Sequence, residues 1–292
     1  KIIGVIKKVD VKSIITKSNL PVSDFSVNPY IGCTHACKYC YACFMKKFTN
    51  HSEEWGNFLD VKYWREIKNP QKYSGKSFFM SSVTDPYNPQ EKIYLRTRNF
   101  LETFQGVDIN LSLQTKSDLI LRDLDLIKNF KNVRVGFSIN TLDENFKNDM
   151  DKAVSISRRI NAMKILHENK IRTTCFISPI FPAITDVKKI IERVKNFCNL
   201  IWLENLNLRG NFKPIILNYI EKNYPQHYEL YREIYNKKNL RYWFELDGEI
   251  KSYAENIGLK YFYNRDDIQN NFDEPPTIIN FFFHEKIKKG YG

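Results

Sequence analysis

The stretch NPYIGCTHACKYCYAC, residues 28–43, guides the interpretation of the whole chain. It contains four of the six cysteines, and Cys33, Cys37 and Cys40 have the spacing C-x3-C-x2-C. A tight loop of soft thiolates is typical of a metal or iron–sulfur site. Three thiolates can bind three irons of a 4Fe–4S cluster and leave the fourth iron open to another ligand. Other residues of the chain are therefore candidates for contacts with a ligand bound to that iron.

The composition is that of a folded protein. The chain has 292 residues, of which 42% are hydrophobic and 14% aromatic, enough for one large domain or two small ones. No run reaches the roughly eighteen apolar residues of a membrane span, and the N-terminal residues lack a secretory pattern. Six cysteines, four of them bunched, do not resemble a disulfide framework. We therefore expect a cytoplasmic protein with no membrane partner.

The charge favours an anionic partner. A formal net charge of +12 is typical of proteins that bind nucleic acid. Lysine is spread along the chain, however, and no segment forms a dense basic block. On charge alone, nucleic-acid binding and a general compositional bias toward lysine are equally good explanations.

Strand and helix patterns alternate along the middle of the chain. Sequence patterns typical of helices occur at about 90–104, in LILRDLDLIKNF, at about 151–169 and at 187–198. The alternation predicts a parallel sheet with helices outside it, either open or closed into a barrel. No G-x-G-x-x-G opens a helix and no Walker motif occurs, which disfavours dinucleotide and nucleotide-triphosphate sites. The predicted strands are SFFMSSV (77–83), INLSLQT (109–115), VRVGFSI (133–139), TTCFISPI (173–180) and LIWLENL (200–206).

Three regions follow from these patterns. Residues 1–24 are predicted to form an N-terminal arm, and residues 25–210 the β–α barrel. The alternation stops after Gly210, so residues 211–292 are interpreted as a C-terminal extension packed on the barrel.

Polar residues follow every predicted strand. Ligands of parallel α/β proteins bind at the carboxyl ends of the strands, so these residues are candidates for a site. Each one alone is better explained as the cap of the next helix, but together with the cysteine loop they favour a site. Asp85 and Glu204 are candidates for an ammonium group, Lys116 and Arg159 for a carboxylate. The strand-end residues are Ser81, Ser82, Thr84, Asp85, Gln114, Thr115, Lys116, Ser117, Ser138, Asn140, Thr141, Ser178, Pro179, Glu204, Asn205 and Asn207.

These motifs resemble the radical S-adenosylmethionine (SAM) superfamily. The resemblance rests on Cys33, Cys37 and Cys40, with the aromatic Tyr39 before the third cysteine. Within the superfamily the chain resembles the spore-photoproduct-lyase-like group, and it is similar to the proteins called radical SAM mobile pair protein B. The segments that carry this likeness are SSVTDPYNPQEKIYLRTRNFLE (81–102), TKSDLILRDLDLI (115–127), SINTLDENF (138–146), RRINAMKIL (158–166), ISPIFPAITD (177–186) and ENLNLRG (204–210).

The resemblance implies a fold, two cofactors and a set of contacts. The fold is a partial (β/α)6 barrel of the TIM type, and the cofactors are SAM and one 4Fe–4S cluster on Cys33, Cys37 and Cys40. SAM binds the open iron of such a cluster through its amino and carboxylate groups. The implied contacts are Tyr39 near the adenine, Ser82, Thr84 or Asp85 at the amino group in place of the usual Gly-Gly-Glu, Ser138 and Asn140 at the ribose and Arg159 at the carboxylate, with Lys116 and Asn205 as further cofactor-binding candidates.

The resemblance also implies a reaction. A reduced cluster cleaves SAM, and the resulting 5′-deoxyadenosyl radical attacks a substrate. The basic charge and the lyase-like segments favour modification or repair of nucleic acid. The alternatives are an enzyme that acts on a peptide, protein or metabolite with a paired radical SAM protein, and a non-catalytic iron–sulfur or zinc module. An external electron donor such as flavodoxin or ferredoxin is implied for the enzymatic functions.

Two further residues are candidates for hydrogen transfer. Cys43 extends the motif to C-x2-C-x2-C, but a bacterial ferredoxin run would need a fourth cysteine followed by proline. A four-cysteine zinc site with Cys43 is the other alternative. We interpret Cys43 as a small packed residue in preference to a hydrogen donor to a substrate radical. Tyr87 is a candidate hydrogen relay, with simple packing as its alternative.

Overall fold

The computed structural model describes residues 4–20, 23–263 and 276–282. The chain divides into two compact units, Lys1–Phe137 with Asn148–Thr173 and Ser138–Lys147 with Thr174–Gly292. The division into an N-terminal arm, a barrel and a C-terminal extension stays a prediction. The extension's Phe-rich end lies partly outside the described residues. None of the described helices is long and apolar enough to cross a membrane.

Strands alternate with helical segments along the chain from β6 to β10. The strands are β1 Val5–Val11, β2 Ile15–Lys17, β3 Phe25–Val27, β4 Tyr30–Ile31, β5 Phe58–Trp64, β6 Ser77–Met80, β7 Asn110–Thr115, β8 Asn132–Ser138, β9 Arg172–Ile180, β10 Leu200–Asn205, β11 Tyr261–Phe262 and β12 Thr277–Asn280. The helices are α1 Glu91–Tyr94, α2 Arg96–Thr103, α3 Leu124–Ile127, α4 Glu144–Met150, α5 Ile156–Glu168, α6 Val187–Val194, α7 Phe212–Asn223, α8 Tyr228–Tyr235 and α9 Arg241–Asn256, with 3₁₀ segments at Tyr41–Phe48, Pro70–Tyr73, Asp118–Asp123 and Pro225–His227.

Parallel pairing dominates both units. In the first, β3, β6, β7 and β8 pair in that order, all parallel, and β2 adds an antiparallel edge. A separate sheet has the order β1-β5-β4, with β1 parallel to β5. In the second unit β9, β10, β12 and β11 pair in parallel. The predicted α/β class with a parallel sheet is therefore confirmed.

An aromatic core holds the first unit together. The ring of Phe78, on β6, lies 5.3–6.0 Å from the rings of Phe25, Tyr73, Phe100 and Phe104. Phe78, Phe100 and Phe104 are fully buried. Such rings bury large apolar areas, and their tilted arrangement is favourable between aromatic faces and edges. The core thus fixes β6 and, with it, the polar turn that follows the strand.

The predicted helix at 90–104 is two helices. Leu95 has a left-handed backbone, with φ of 54°, and separates α1 from α2. The carboxylate of Glu91 accepts hydrogen bonds from the backbone N–H groups of Thr97 (3.0 Å) and Arg98 (3.1 Å). These N–H groups open α2 and lack partners within it. Glu91 therefore caps α2 from the preceding helix, and the residue between them absorbs the turn.

Candidate functional site: the cysteine loop

The cysteine loop begins at a glycine that the backbone requires. Gly32 has φ of 89°, and a Cβ there would lie 2.5 Å from the carbonyl oxygen of Phe58. Gly56, in the segment that covers the loop, is also at a position that requires glycine, since a Cβ on it would lie 2.6 Å from the Cβ of Ala36. Positive φ and close approach are both conditions that favour glycine. The loop is therefore packed between β5 and the turn around Gly56.

Backbone hydrogen bonds fix the loop from the other side. The amide of Lys38 donates to the carbonyl of Met150 at 2.9 Å, and the amide of Lys152 donates to the carbonyl of His35 at 2.7 Å. Within the loop the amide of Cys40 donates to the carbonyl of Cys37 at 3.2 Å. The path of the chain between the cysteines is thus set by both local turns and residues 150–152.

Cys33, Cys37 and Cys40 are free, half-buried thiols. Burial raises the pKa of all three, and raises that of Cys37 to about 12. The charge of Cys40 also contributes to the raised pKa of Cys33 and Cys37. A bound metal reverses this preference, because a coordinating thiol is deprotonated.

The residues around these thiols fit a 4Fe–4S cluster. Thr34 Oγ1 and His35 Nδ1 are buried and lack a hydrogen-bond partner among the described residues. Buried polar atoms nearly always have a partner, so such atoms in this loop suit a bound group with acceptor atoms. Among residues 4–20, 23–263 and 276–282, no three His, Cys, Asp or Glu side chains are placed to hold a single metal ion. In a cluster, by contrast, each thiolate binds a different iron.

Asp85 ties the loop to the strand ends. Its carboxylate accepts hydrogen bonds from Thr115 Oγ1 (2.7 Å) and from the amides of Lys116 (2.8 Å) and Tyr87 (2.9 Å). His35 Nε2 lies 3.2 Å from its Oδ2. Burial by itself would raise the pKa of Asp85, but His35 and these donors outweigh it and lower the pKa below its usual value. Asp85 is therefore a buried anion that joins the loop to the ends of β6 and β7.

The turn after β6 lies directly against the cysteine loop. Ser81 has φ of 101°, a backbone conformation that favours glycine, and its hydroxyl donates to the carbonyl of Thr84 at 2.6 Å. Thr84 Oγ1 donates to the carbonyl of Gly32 at 2.6 Å. Asn28 Nδ2 donates to Ser82 Oγ at 2.8 Å, and Tyr41 donates its hydroxyl hydrogen to the carbonyl of Ser82. Of the three amino-group candidates, Ser82 is half-buried, whereas Thr84 and Asp85 are buried.

Tyr39 and Arg159 are linked through a residue that the sequence reasoning missed. The Tyr39 hydroxyl lies 3.3 Å from Asp151 Oδ2, and the Arg159 guanidinium donates to Asp151 Oδ1 at 2.8 Å. Arg159 is fully buried and also donates to the carbonyl of Val154 at 3.0 Å. The ammonium of Lys116 lies 5.8 Å from the centre of the Tyr39 ring. The signal for Asp151 in the sequence was its position at the turn before α5, where it accepts from the amide of Ala153.

The two hydrogen-transfer candidates have different surroundings. Cys43 is half-buried at the start of the 3₁₀ segment, and its amide lies 3.4 Å from the carbonyl of Cys40. Tyr87 is fully buried, and its pKa is raised first by burial and then by the carboxylates of Asp123 and Glu91. Their proposed roles stay predictions.

The remaining candidates belong to the second unit. Ser138 ends β8, Asn140 follows it, and both are buried; Thr185 Oγ1 donates to the carbonyl of Asn140 at 2.8 Å. Asn205 ends β10 and is half-buried. Its neighbour Glu204 accepts from Ser178 Oγ at 3.2 Å and from the Trp202 indole at 3.3 Å. These residues occupy strand ends, as predicted, and their contacts with a cofactor stay predictions.

Comparison with known proteins decides the family. A model of the radical SAM superfamily matches residues 27–194, which include the cysteine loop and the strands and helices from β4 to α6. The chain belongs to the radical SAM superfamily. Membership in this superfamily indicates an enzyme and implies a 4Fe–4S cluster and SAM, in agreement with the sequence analysis.

Relatives of this radical SAM protein occur in an archaeon and in a virus. An uncharacterised protein of Methanocaldococcus jannaschii is 41% identical over 226 residues, which cover 76% of this chain and 85% of the relative. An uncharacterised protein of Acidianus two-tailed virus is 30% identical over 251 residues, covering 76% of this chain and 83% of the relative.

A solved structure confirms the fold. Spore photoproduct lyase complexed with dinucleoside spore photoproduct matches with a TM-score of 0.54 and 15% identity, over 76% of this chain and 66% of that chain. At this identity the match concerns the fold. It confirms the partial (β/α)6 barrel of the radical SAM kind and the likeness to the spore-photoproduct-lyase group.

Proposed function

We propose that this radical SAM protein holds one 4Fe–4S cluster on Cys33, Cys37 and Cys40, cleaves SAM reductively and acts on a nucleic acid. The observation that carries the proposal is the loop of three free thiols in which Thr34 Oγ1 and His35 Nδ1 are buried without partners among the described residues. The superfamily match to residues 27–194 supports the same cofactors. Cys43 is left outside the ligand set.

The chemistry divides between the cofactors and the chain. Cys33, Cys37 and Cys40 would hold the cluster, and with SAM bound the two cofactors would supply one-electron cleavage of the sulfonium to methionine and a 5′-deoxyadenosyl radical that can remove a hydrogen atom from a substrate. The chain positions the reactants and excludes water. Asp85 keeps His35 and the β7 end in place, and the Asp151–Arg159 pair orients the Tyr39 ring for the adenine.

The head group of SAM is assigned to the turn after β6. The Ser82 hydroxyl is half-buried and is held by Asn28, so it is our first choice for the amino group. The Asp85 carboxylate already accepts three hydrogen bonds and therefore contributes mainly by positioning. Lys116, beside Tyr39, is assigned to the carboxylate. Ser138 and Asn140 at the ribose, and Asn205, remain proposals from the family resemblance.

Two observations support a nucleic acid as the substrate. The chain carries a formal net charge of +12, which favours a polyanionic partner. The structurally similar spore photoproduct lyase has been solved with a dinucleoside photoproduct, which is a nucleic-acid lesion. We also propose an external low-potential electron donor, such as flavodoxin or ferredoxin.

The test is anaerobic reconstitution with SAM and dithionite, with and without single-stranded and duplex nucleic acid. We expect 5′-deoxyadenosine from the reconstituted protein, more of it with nucleic acid, and a mass change in the nucleic acid. The Cys37→Ala variant should give neither product. 5′-Deoxyadenosine without any change in nucleic acid, together with a product on a peptide or on a paired radical SAM protein, would contradict the substrate assignment. A full cluster that yields no 5′-deoxyadenosine would contradict the enzyme.

A further inference from the structure

The 3₁₀ segment Tyr41–Phe48 exposes aromatic rings directly after Cys40. Tyr41, Phe44 and Phe48 are 56%, 45% and 66% exposed. Among the described residues, these are three of the five aromatic side chains that are both large and exposed, the others being Phe244 and Tyr263. Aromatic rings usually lie in cores, and a concentration of them at the surface indicates an interaction site.

Lysines accompany these rings. Lys46 and Lys47 lie in the last turn of the segment, and its first turn has no acidic residue. The Lys47 ammonium lies 4.8 Å from the centre of the Phe48 ring and 5.9 Å from that of Phe44. Residues 25–52 contain no Asp or Glu at all. The surface is therefore both aromatic and positive; we name Tyr41, Phe44, Lys47 and Phe48 the aromatic–lysine patch.

The acidic residue that follows is already engaged. Glu53 accepts from His51 Nδ1 at 3.0 Å, while His51 Nε2 is bonded to Asp60 at 2.8 Å. Lys46 donates to the carbonyl of Ser52 at 3.1 Å, which ties the end of the patch to the same turn. The charge of Lys47 thus has no acidic side chain beside it in the segment and suits an anionic partner.

We propose that the aromatic–lysine patch binds single-stranded nucleic acid. Unpaired bases offer free faces that stack on exposed rings, and lysines between the rings meet the phosphates. Bases in a duplex are already stacked on each other and do not offer these faces. The lysines alone would also suit an acidic electron carrier, but such a partner gives no role to three exposed rings. The inference rests on the proposed function and adds where its substrate is held.

The position of the aromatic–lysine patch indicates its role in the reaction. Tyr41 is the residue after Cys40, and its hydroxyl is bonded to the carbonyl of Ser82 in the turn after β6. A strand held on the patch therefore lies beside the loop that carries the cluster ligands. Stacking there would also compensate for the bases' lost stacking on each other when a nucleotide is drawn out of a strand.

The test measures binding of a fluorescent, mixed-sequence single-stranded oligonucleotide to the anaerobically reconstituted protein. We expect Phe44→Ala and Phe48→Ala each to weaken binding about 5- to 100-fold, the effect of one lost base stack. Lys47→Gln should lower the dependence of log K on log salt by about 0.7, the effect of one phosphate contact on a single strand. The matched control is Phe244→Ala, an exposed ring on α9 (57% exposed), which should change the affinity less than about twofold. Iron content is measured for every variant, so that a lost cluster is not mistaken for a lost contact.

The outcomes separate the inference from the proposed function. Wild-type binding that Phe44→Ala and Phe48→Ala leave intact would overturn the patch while leaving a nucleic-acid substrate in place. No binding by the wild type to single strands or duplexes would overturn the proposed substrate itself. Tighter binding to a duplex than to its single strand would contradict the single-strand claim. Slower reduction by an acidic flavodoxin in patch variants, with oligonucleotide binding unchanged, would reassign the patch to the electron donor and overturn the inference.

Discussion

The two compact units differ in the polar groups that they bury. Among the described residues, the first unit buries His35, His51, Asp60, Asp85, Glu91, Asp123, Asp151 and Arg159. In the second unit the corresponding charged residue is Lys147. Its other buried polar residues are small and neutral, namely Ser138, Asn140, Thr141, Thr174, Thr185, Thr277 and Asn280.

This difference indicates where the fold depends on fixed electrostatic partners. A buried charge is tolerated only with partners at fixed distances, so a network of such pairs specifies one geometry. Asp85 and the Asp151–Arg159 pair contact His35 and Tyr39 of the cysteine loop, whose thiols must meet three iron atoms. Small neutral groups at strand ends can be exchanged at lower cost. We infer that the first unit depends on fixed partners of buried charges more strongly than the second does.

The largest predicted effect is at Arg159. Arg159→Met removes a fully buried guanidinium and leaves Asp151 without its ion-pair partner at 2.8 Å. We expect a loss of about 3–5 kcal/mol in the free energy of unfolding, because the buried Asp151 carboxylate loses the cation with which it pairs. Urea denaturation of the cluster-free protein under reducing conditions measures it. The neighbouring Arg158→Met is the control, since Arg158 is 58% exposed in its pair with Asp118 and should cost less than about 1 kcal/mol. Equal losses in the two variants would contradict the buried-charge account.

Asp85 gives a direct test of the difference between the units. Asp85→Asn puts an amide group where three donors and His35 converge, and we expect it to cost about 3 kcal/mol of stability. Because the folded pKa of Asp85 is lowered, its carboxylate stabilises the fold above pH of about 4, and this contribution is lost as the pH falls further. The difference between wild type and variant should therefore shrink in acid.

Glu204→Gln is the control from the second unit. Glu204 is half-buried and accepts hydrogen bonds from Ser178 and Trp202. The glutamine keeps one carbonyl oxygen for these donors, so we expect a loss below about 1 kcal/mol. A loss as large as that of Asp85→Asn would show that the second unit depends on buried charge as strongly as the first.

Lys62 provides a test in the opposite direction, because removing this charge from the first unit should raise the free energy of unfolding. Burial lowers the pKa of Lys62 to about 8, although Asp60 works against the shift. The unfolded chain, with a lysine pKa of about 10.4, holds the proton more tightly, so the half-buried Lys62 ammonium destabilises the fold at pH of about 7. We expect Lys62→Met to raise the free energy of unfolding by up to about 3 kcal/mol at neutral pH.

The pH dependence checks that explanation. The gain from Lys62→Met should be complete below pH of about 8 and should fade as the pH rises to about 10.4, where lysine is neutral in both states. Urea denaturation at neutral pH and near pH of about 10 compares the two limits. A gain that does not change with pH would mean that packing of the methionine, and not the removed charge, is responsible.

The sequence predicted the cofactor site better than it predicted the contacts that hold the residues of that site in place. The cysteine spacing and the alternating pattern were enough for the superfamily and the parallel α/β fold, because both depend on local sequence. The predicted helix 90–104 was wrong at Leu95, since the cap from Glu91 acts across a turn that periodicity does not record. Likewise the helix predicted from 151 starts as α5 at Ile156, where the Ser155 side chain accepts from the amide of Arg158.

Contacts between residues that are separated in the sequence explain why the other features of the site were not predicted. The ion pair of Arg159 with Asp151, and the contact of His35 with Asp85, join residues whose proximity depends on the folded chain. Sequence alone offered Asp85, at a strand end, and Arg159, in a predicted helix, as ligands of the cofactor, because their charged partners are separated from them in the sequence. Their buried partners instead give both residues a positioning role in our proposal.

The central claim is that Cys33, Cys37 and Cys40 are the cluster ligands and that Cys43 is not. The most direct measurement is the iron and sulfide content and the reduced-state electron paramagnetic resonance spectrum of anaerobically reconstituted Cys37→Ala and Cys43→Ala. We predict about four irons per chain and a 4Fe–4S signal for the wild type and Cys43→Ala, and loss of both in Cys37→Ala. A cluster retained in Cys37→Ala, or lost in Cys43→Ala with the fold intact, would contradict the account.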